Sequence, residues 1–350
     1  MQNKIKLVLM GLMALIGIFG VGYKTYRERQ VKLTDVSVVL SLEDTVNDNT
    51  IWCGTFNLIW NDLKDIAGQD IEFSPQLDVV KHLNQGTFTT KELNESSYYK
   101  IVDIPSLVLK EKITKEIKEK FNETSDILDD FDWENHDAKD YFLYAMLKKE
   151  FDFQNEFTEL KKDRFQDTKN IAYFGIDATT KESVRQQVEV LYYKDNHQFA
   201  VKLQTQNEDE IILTRGRRES SFKEIYNALI SESKEYKGSH NFGDSDTLKV
   251  PNLNFKVKKE FTELEKKDFK FANAENYYID KALQTVQFEL NKKGGKVKSE
   301  AGMSAKNFSL AEMDTPRNFD FDEPFTLFLK EKEKELPYLS IQVNDIEKFV

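Results

Sequence analysis

The chain has 350 residues, 32% of them charged and 39% hydrophobic, with 61 acidic against 50 basic side chains and a formal net charge of −11 at pH 7. So acidic a balance excludes general nucleic-acid binding, which requires a basic surface to neutralise phosphates. A single cysteine, Cys53, excludes an intramolecular disulfide, so stability must come from a large core.

The first thirty residues have a pattern of their own. Lys4 and Lys6 precede an uncharged run of 17 residues, Leu7 to Tyr23, and Lys24, Arg27 and Arg29 follow it. That length sits at the short end of the roughly 17–25 residues that cross a bilayer as a helix. Residues 1–30 therefore read as an export signal or a membrane anchor. Gly17, Gly20 and Gly22 are small enough for cleavage, but no A-x-A site is present, which favours an uncleaved anchor. Residues 31–350 are expected on the extracytoplasmic side, secreted or held to the membrane through that N-terminal helix. They contain no Pro-, Gly- or Ser-rich linker and read as one domain. The abundance of Lys, Asn, Phe and Tyr suits an AT-rich bacterial genome.

Helical spacing governs the first half. Phe56, Ile59, Trp60 and Leu63 form one apolar stripe, and Ile113, Ile117 and Phe121 form another within a Lys/Glu-rich surface helix. Cys53 reads as a small buried hydrophobe beside Trp52. Strand signals dominate the second half, in Val188/Val190/Tyr192, Phe199/Val201/Leu203, Val250/Leu253/Phe255, Val286/Phe288/Leu290 and Leu339/Ile341/Val343, several of which alternate with period two. So many strands require a substantial sheet and predict a mixed α+β fold. Arg215-Gly216-Arg217-Arg218 is the one dense basic cluster. It reads as a solvated turn balancing Glu219 and the acidic run Glu208 to Glu210, with an exosite for a polyanion or an acidic partner as the alternative. Asp129-Asp130 and the pair Asp244 and Asp246 also read as solvated turns.

No catalytic constellation is visible. His82, His136, His197 and His240 have no metal-ligand spacing with one another or with Cys53. There is no nucleophile elbow, Walker loop or dinucleotide fingerprint. Neither an enzyme activity nor a metal or cofactor is expected.

The most specific pattern lies between Asp280 and Phe328. Lys281-Ala282 opens a strand, Asn291-Lys292-Lys293-Gly294 ends it, a long polar stretch follows, and Phe321-Asp322-Glu323-Pro324-Phe325 marks a return to the fold. Upstream stand Leu248-Lys249-Val250-Pro251-Asn252-Leu253-Asn254-Phe255, then the polar run Glu260 to Lys267. Earlier come Tyr141 to Leu147 with Phe151, Phe153 and Phe157, and Asn49 to Trp52 leading into Phe56 to Trp60. In order and spacing this resembles the serpins over most of residues 35 to 346. Three departures fall where a serpin sheet opens: Cys53-Gly54 replaces Ser-Pro, no tryptophan follows Leu147, and Tyr338 to Val343 lacks a glycine.

The resemblance implies an α+β, serpin-like fold. It has a large central mixed or antiparallel sheet, further sheets, surrounding helices and an exposed reactive-centre loop. The Glu260 to Lys267 run would be helical, and the Ile113 helix would shield the sheet's opening. The implied function is inhibition of a serine or cysteine protease by cleavage-triggered insertion of the loop into that sheet; a non-inhibitory binding module on the same fold is the alternative. With Gly294 as the hinge glycine, Gly295, Val297, Ser299, Ala301 and Met303 alternate with Lys296, Lys298, Glu300 and Gly302. Strand side chains alternate faces, and burying an unpaired charge costs several kcal/mol, so only the first set suits the core side. The competing reading is that these five residues alternate by chance or belong to an ordinary strand extension from Val286 to Val297. For the scissile bond, Phe308 before Ser309 suits a chymotrypsin-like pocket and is preferred; Lys306 before Asn307 would suit a trypsin-like one.

Overall fold

The computed structural model describes residues 35–206, 208–295 and 316–350. The proposed anchor, the hinge positions Val297, Ser299 and Ala301, and the candidate scissile pair Phe308 and Ser309 lie outside the described residues. Among the described residues no helix is long and apolar enough to cross a membrane.

The chain runs through β1 (Ser37–Val39), β2 (Thr50–Cys53), α1 (Thr55–Ala67), α2 (Asp78–Gln85), β3 (Tyr98–Asp103), α3 (Leu107–Phe121), β4 (Phe142–Leu147) and β5 (Phe151–Asp152). There follow β6 (Thr158–Phe165), β7 (Thr168–Ile176), α4 (Glu182–Arg185), β8 (Val188–Asp195), β9 (Gln198–Gln204), β10 (Asp209–Arg215) and α5 (Phe222–Glu235). Next are β11 (Thr247–Pro251), β12 (Leu253–Glu260), β13 (Asp268–Lys270), β14 (Asn276–Tyr278) and β15 (Leu283–Leu290). The last strands are β16 (Gly294–Gly295), β17 (Asn318–Asp320), β18 (Phe325–Glu331) and β19 (Leu339–Val343). Residues Ser37–Val350 form one compact unit.

The α+β class follows the periodicities. A seven-stranded sheet, ordered β1-β2-β19-β18-β10-β9-β8, holds the main core. All seven residues of β18 are buried, as in a strand covered on both faces. From one side α5 brings Phe222 and Tyr226 edge-on to the Phe328 ring. A four-stranded sheet, β17-β11-β7-β6, receives the returning chain where β17 pairs parallel to β11.

Two further strand pairs stand apart from these sheets. β3 and β4 pair antiparallel from Tyr98 opposite Leu147 to Asp103 opposite Phe142. β12 and β15 pair antiparallel from Leu253 opposite Leu290 to Glu260 opposite Leu283. The Ile113 stripe forms α3, whose start is capped by the Ser106 hydroxyl accepting from the Leu109 N–H at 3.1 Å. Its Leu109, Ile113 and Ile117 bury against Phe142 and Tyr144 of β4, together with Leu128 and Trp133 from the segment between them.

Glu260 to Lys267 is not helical. β12 runs to Glu260, and a turn follows in which the Leu264 N–H donates to the Phe261 carbonyl at 2.9 Å. Phe261 is buried and meets the Phe56 ring edge-on at 5.2 Å, so an anchoring aromatic outweighs local helical preference.

Candidate functional site

Between the two strand pairs lies a cavity of about 1330 Å³. Phe142 to Leu147 of β4 line one bank and Leu283 to Glu289 of β15 the other, with Phe56, Ile59, Trp60 and Leu63 of α1 among the further lining residues. Among the described residues β4 pairs only with β3, and β15 with β12. Among those residues, the edges facing the cavity therefore carry strand N–H and C=O groups with no partner strand along most of their length. Such an edge is a template for another strand.

One end of this slot holds Gly294 and Gly295. After β15 the chain reverses at Asn291 to Gly294: the Asn291 carbonyl accepts from the Gly294 N–H at 3.1 Å, and the Asn291 side chain accepts from the Lys293 N–H at 2.9 Å. Gly294 and Gly295 then pair antiparallel with Asp152 and Phe151 of β5, the strand that follows β4. The Phe153 and Phe157 N–H groups donate to the Lys293 and Lys292 carbonyls, both at 2.9 Å. Gly294 has φ +114°, and a Cβ there would lie 2.4 Å from the Phe151 carbonyl oxygen, so the turn requires glycine. An ordinary extension of β15 through this point is excluded by the reversal.

Three buried phenylalanines fill the place where the resemblance leads one to look for tryptophan. Phe153 and Phe157 meet edge-on at 4.6 Å, and both pack on Phe174. At the Cys53-Gly54 departure, Gln284 of β15 donates its side-chain amide to the Cys53 carbonyl at 2.9 Å and to the Thr55 hydroxyl at 2.8 Å. The far bank is thus tied to the start of α1. Cys53 is buried as expected, and burial pushes its thiol pKa up, away from reactivity. Gln284 was missed in the sequence, although its position on the buried face with Val286, Phe288 and Leu290 is visible in the alternation.

A strap crosses the slot. The segment from Glu123 to Asp140 packs on β4 through Leu128 and Trp133, yet its charges reach the opposite pair. Asp126 pairs with Lys256 of β12 at 2.6 Å, Asp130 pairs with Lys258, and the Asp130 carbonyl accepts from Lys281 at 3.2 Å. Lys139 pairs with Glu275 at 2.5 Å.

Several polar groups read as solvated are buried and paired. Arg215 reaches Asp322 at 2.8 Å and Glu323 at 2.5 Å, while Arg217 holds Glu219 at 2.9 Å and also Glu232. Arg215 therefore ties the Phe321 to Phe325 return to β10, and of the cluster's three arginines only Arg218 is exposed. Asp246 is buried against Arg317, 2.6 Å away. Asp209, inside the acidic run, is buried against Lys149 at 2.9 Å. His82 pairs with Asp44 at 2.7 Å, and among the described residues no cluster of histidine, cysteine and carboxylates is arranged to hold a metal.

No family model and no curated protein sequence matches the chain. Solved structures do. Human thyroxine-binding globulin complexed with thyroxine is 9% identical, over 92% of this chain and 95% of that one, with a TM-score of 0.50. Serpin48 of the insect Tenebrio molitor is 10% identical over 85% of this chain and 92% of that one, with a TM-score of 0.45. SRPN18 of Anopheles gambiae is 12% identical over 73% and 79%, also at 0.45. The fold is serpin-like.

Proposed function

We propose that this chain is a protease inhibitor of the serpin type, acting by cleavage-triggered insertion of the loop after Gly294 into the slot between β4 and β15. The observation that carries this reading is the pairing of Gly294 and Gly295 with β5, antiparallel, at the head of two strand edges unpaired among the described residues. If the inserting loop kept that register, residue 297 would lie opposite Lys149, 299 opposite Leu147, 301 opposite Ala145 and 303 opposite Leu143. On β4, Phe142, Tyr144 and Met146 face the α3 cluster, which leaves Leu143, Ala145 and Leu147 for the α1 side. Directly opposed residues share a face. Ser299, Ala301 and Met303 then face the core, with Lys298 and Glu300 on the other side, the arrangement that avoids burying an unpaired charge.

In this mechanism a serine or cysteine protease, chymotrypsin-like by preference, attacks the carbonyl of Phe308. The peptide bond breaks, the amine of Ser309 leaves with a proton from the protease's general acid, and Phe308 remains as an acyl ester or thioester. Insertion has to outrun the water that would hydrolyse that bond. We place the domain outside the cytoplasm, exported or anchored by residues 1–30, and assign it no catalytic activity of its own.

A second reading, a non-inhibitory binding module, is favoured by the strap, whose ion pairs cover the face through which Lys296, Lys298 and Glu300 would pass. Incubation with a panel of serine and cysteine proteases followed by denaturing gels separates the two. A denaturant-resistant adduct is expected for the inhibitor; clean loop cleavage with every protease would leave the module.

A further inference from the structure

Lys149 lies between β4 and β5, two residues before the strand that receives Gly294 and Gly295. Its ammonium is 2.9 Å from Asp209 Oδ1 and 2.7 Å from Glu331 Oε1. Those carboxylates belong to the first residue of β10 and the last of β18, which stand directly opposite each other in the seven-stranded sheet. Their side chains are 2% and 0% exposed. Like charges directly opposite on paired strands destabilise them, and buried carboxylates need a counter-ion.

Lys149 supplies it. The other contacts come from neutral donors: the Tyr338 hydroxyl to Asp209 at 3.1 Å, and the Ser97 hydroxyl and Asn94 N–H to Glu331 at 3.0 and 2.9 Å. Neighbouring lysines are engaged elsewhere. Lys330 and Lys202 both pair with Glu210, and Lys148 with Glu123 and Glu150. The Lys149 ammonium also lies 5.6 Å over the Tyr338 ring.

We infer that Lys149 is the positioning residue of the slot, an ionic tether that fixes the edge running from β4 into β5 against the seven-stranded sheet so that the inserting loop meets it in one register. The inference rests on the loop-insertion reading and deepens it. Lys149 stands two residues before Phe151, the partner of Gly295, at the point where an inserting loop would first meet this edge. A slip of one residue there would turn Lys296, Lys298 and Glu300 into the core.

The test follows thermal stability over time after the loop of the full-length protein is nicked by a chymotrypsin-like protease. Lys149→Met alone strands two buried carboxylates, so it is paired with the neutral variant Lys149→Met/Asp209→Asn/Glu331→Gln, which removes the tether without stranding charge. The neutral variant is expected to gain stability about tenfold more slowly than the wild type, equivalent to roughly 1.4 kcal/mol on the barrier. Lys149→Arg is expected to restore the rate to within about threefold, since its guanidinium can pair with both carboxylates. A neutral variant as fast as the wild type would overturn the tether, and so would an arginine variant as slow as the neutral one. If the wild type itself gains nothing on nicking, the insertion reading fails and the tether falls with it.

Discussion

The seven-stranded sheet and the slot are built from similar alternating strands, but they are finished differently. In the first, strand pairing continues without a break from β1 to β8, and central strands such as β18 are buried on both faces. In the second, two strand pairs stand apart with facing edges unpaired among the described residues, and isolated two-stranded pieces are marginal in water. What holds them is external: the α3 cluster on one pair, Gln284 at the start of α1 on the other, and the charged strap across both. The seven-stranded sheet therefore supplies stability, whereas the two pairs leave facing edges that, in the proposed function, would take up the loop as an added strand.

The largest expected effect tests the first half of that contrast. Phe328→Ala removes a fully buried ring that meets Phe222 and Tyr226, and should cost about 3–5 kcal/mol in denaturant unfolding. Leu143→Ala, on the half-buried slot bank, should cost well under half as much; equal losses would mean that the slot is packed like the core. Next comes Gly294, the proposed hinge. Gly294→Ala forces a side chain into left-handed backbone and against the Phe151 carbonyl, and should cost about 1–3 kcal/mol while loosening the pairing with β5. Hydrogen exchange at the Phe153 and Phe157 amides reads that loosening directly.

A smaller effect concerns the strap. Lys256→Gln with Lys258→Gln removes two partly exposed ion pairs, each worth about 0–1 kcal/mol. The double variant should barely change unfolding but should speed stabilisation after nicking, and added salt should speed the wild type in the same direction. No change in either rate would show that the strap does not gate the slot. The smallest effect is in pH dependence. Burial holds the Asp209 carboxyl above the ordinary carboxylate range, opposed by Lys149. A raised folded-state pKa gives stability that is full below the unfolded value and lost as pH rises through the folded one. Relative to Asp209→Asn, the wild type should lose stability as pH climbs from the ordinary carboxylate range through that raised value. A flat difference between the two would contradict the assignment.

Local pattern carried much of this architecture. The stripes at Phe56 and Ile113 became α1 and α3, the alternations at Val286 and Leu339 became β15 and β19, and the Asn291 to Gly294 signature became the reversal that starts β16. The hidden parts depend on partners far along the chain. Arg215 finds Asp322 and Glu323 more than 100 residues away, Asp246 finds Arg317 at a separation of 71, and Lys149 joins residues from two other strands. Charge alone does not reveal such burial, because the same letters on a turn would be solvated. The division into two strand pairs was equally out of reach, since alternation tells which face of a strand is buried and not which neighbour its edge takes.

The central claim is that the slot accepts the loop after Gly294, in the register set by Gly294 and Gly295. It is tested most directly by thermal unfolding before and after the loop is nicked, in the wild type and in Val297→Arg, Ser299→Arg and Lys298→Glu. Nicking should raise the melting temperature of the wild type and of Lys298→Glu alike, and should raise it little or not at all in the two arginine variants, which would bury an unpaired charge. Equal gains in all four proteins, or none in the wild type, would contradict it.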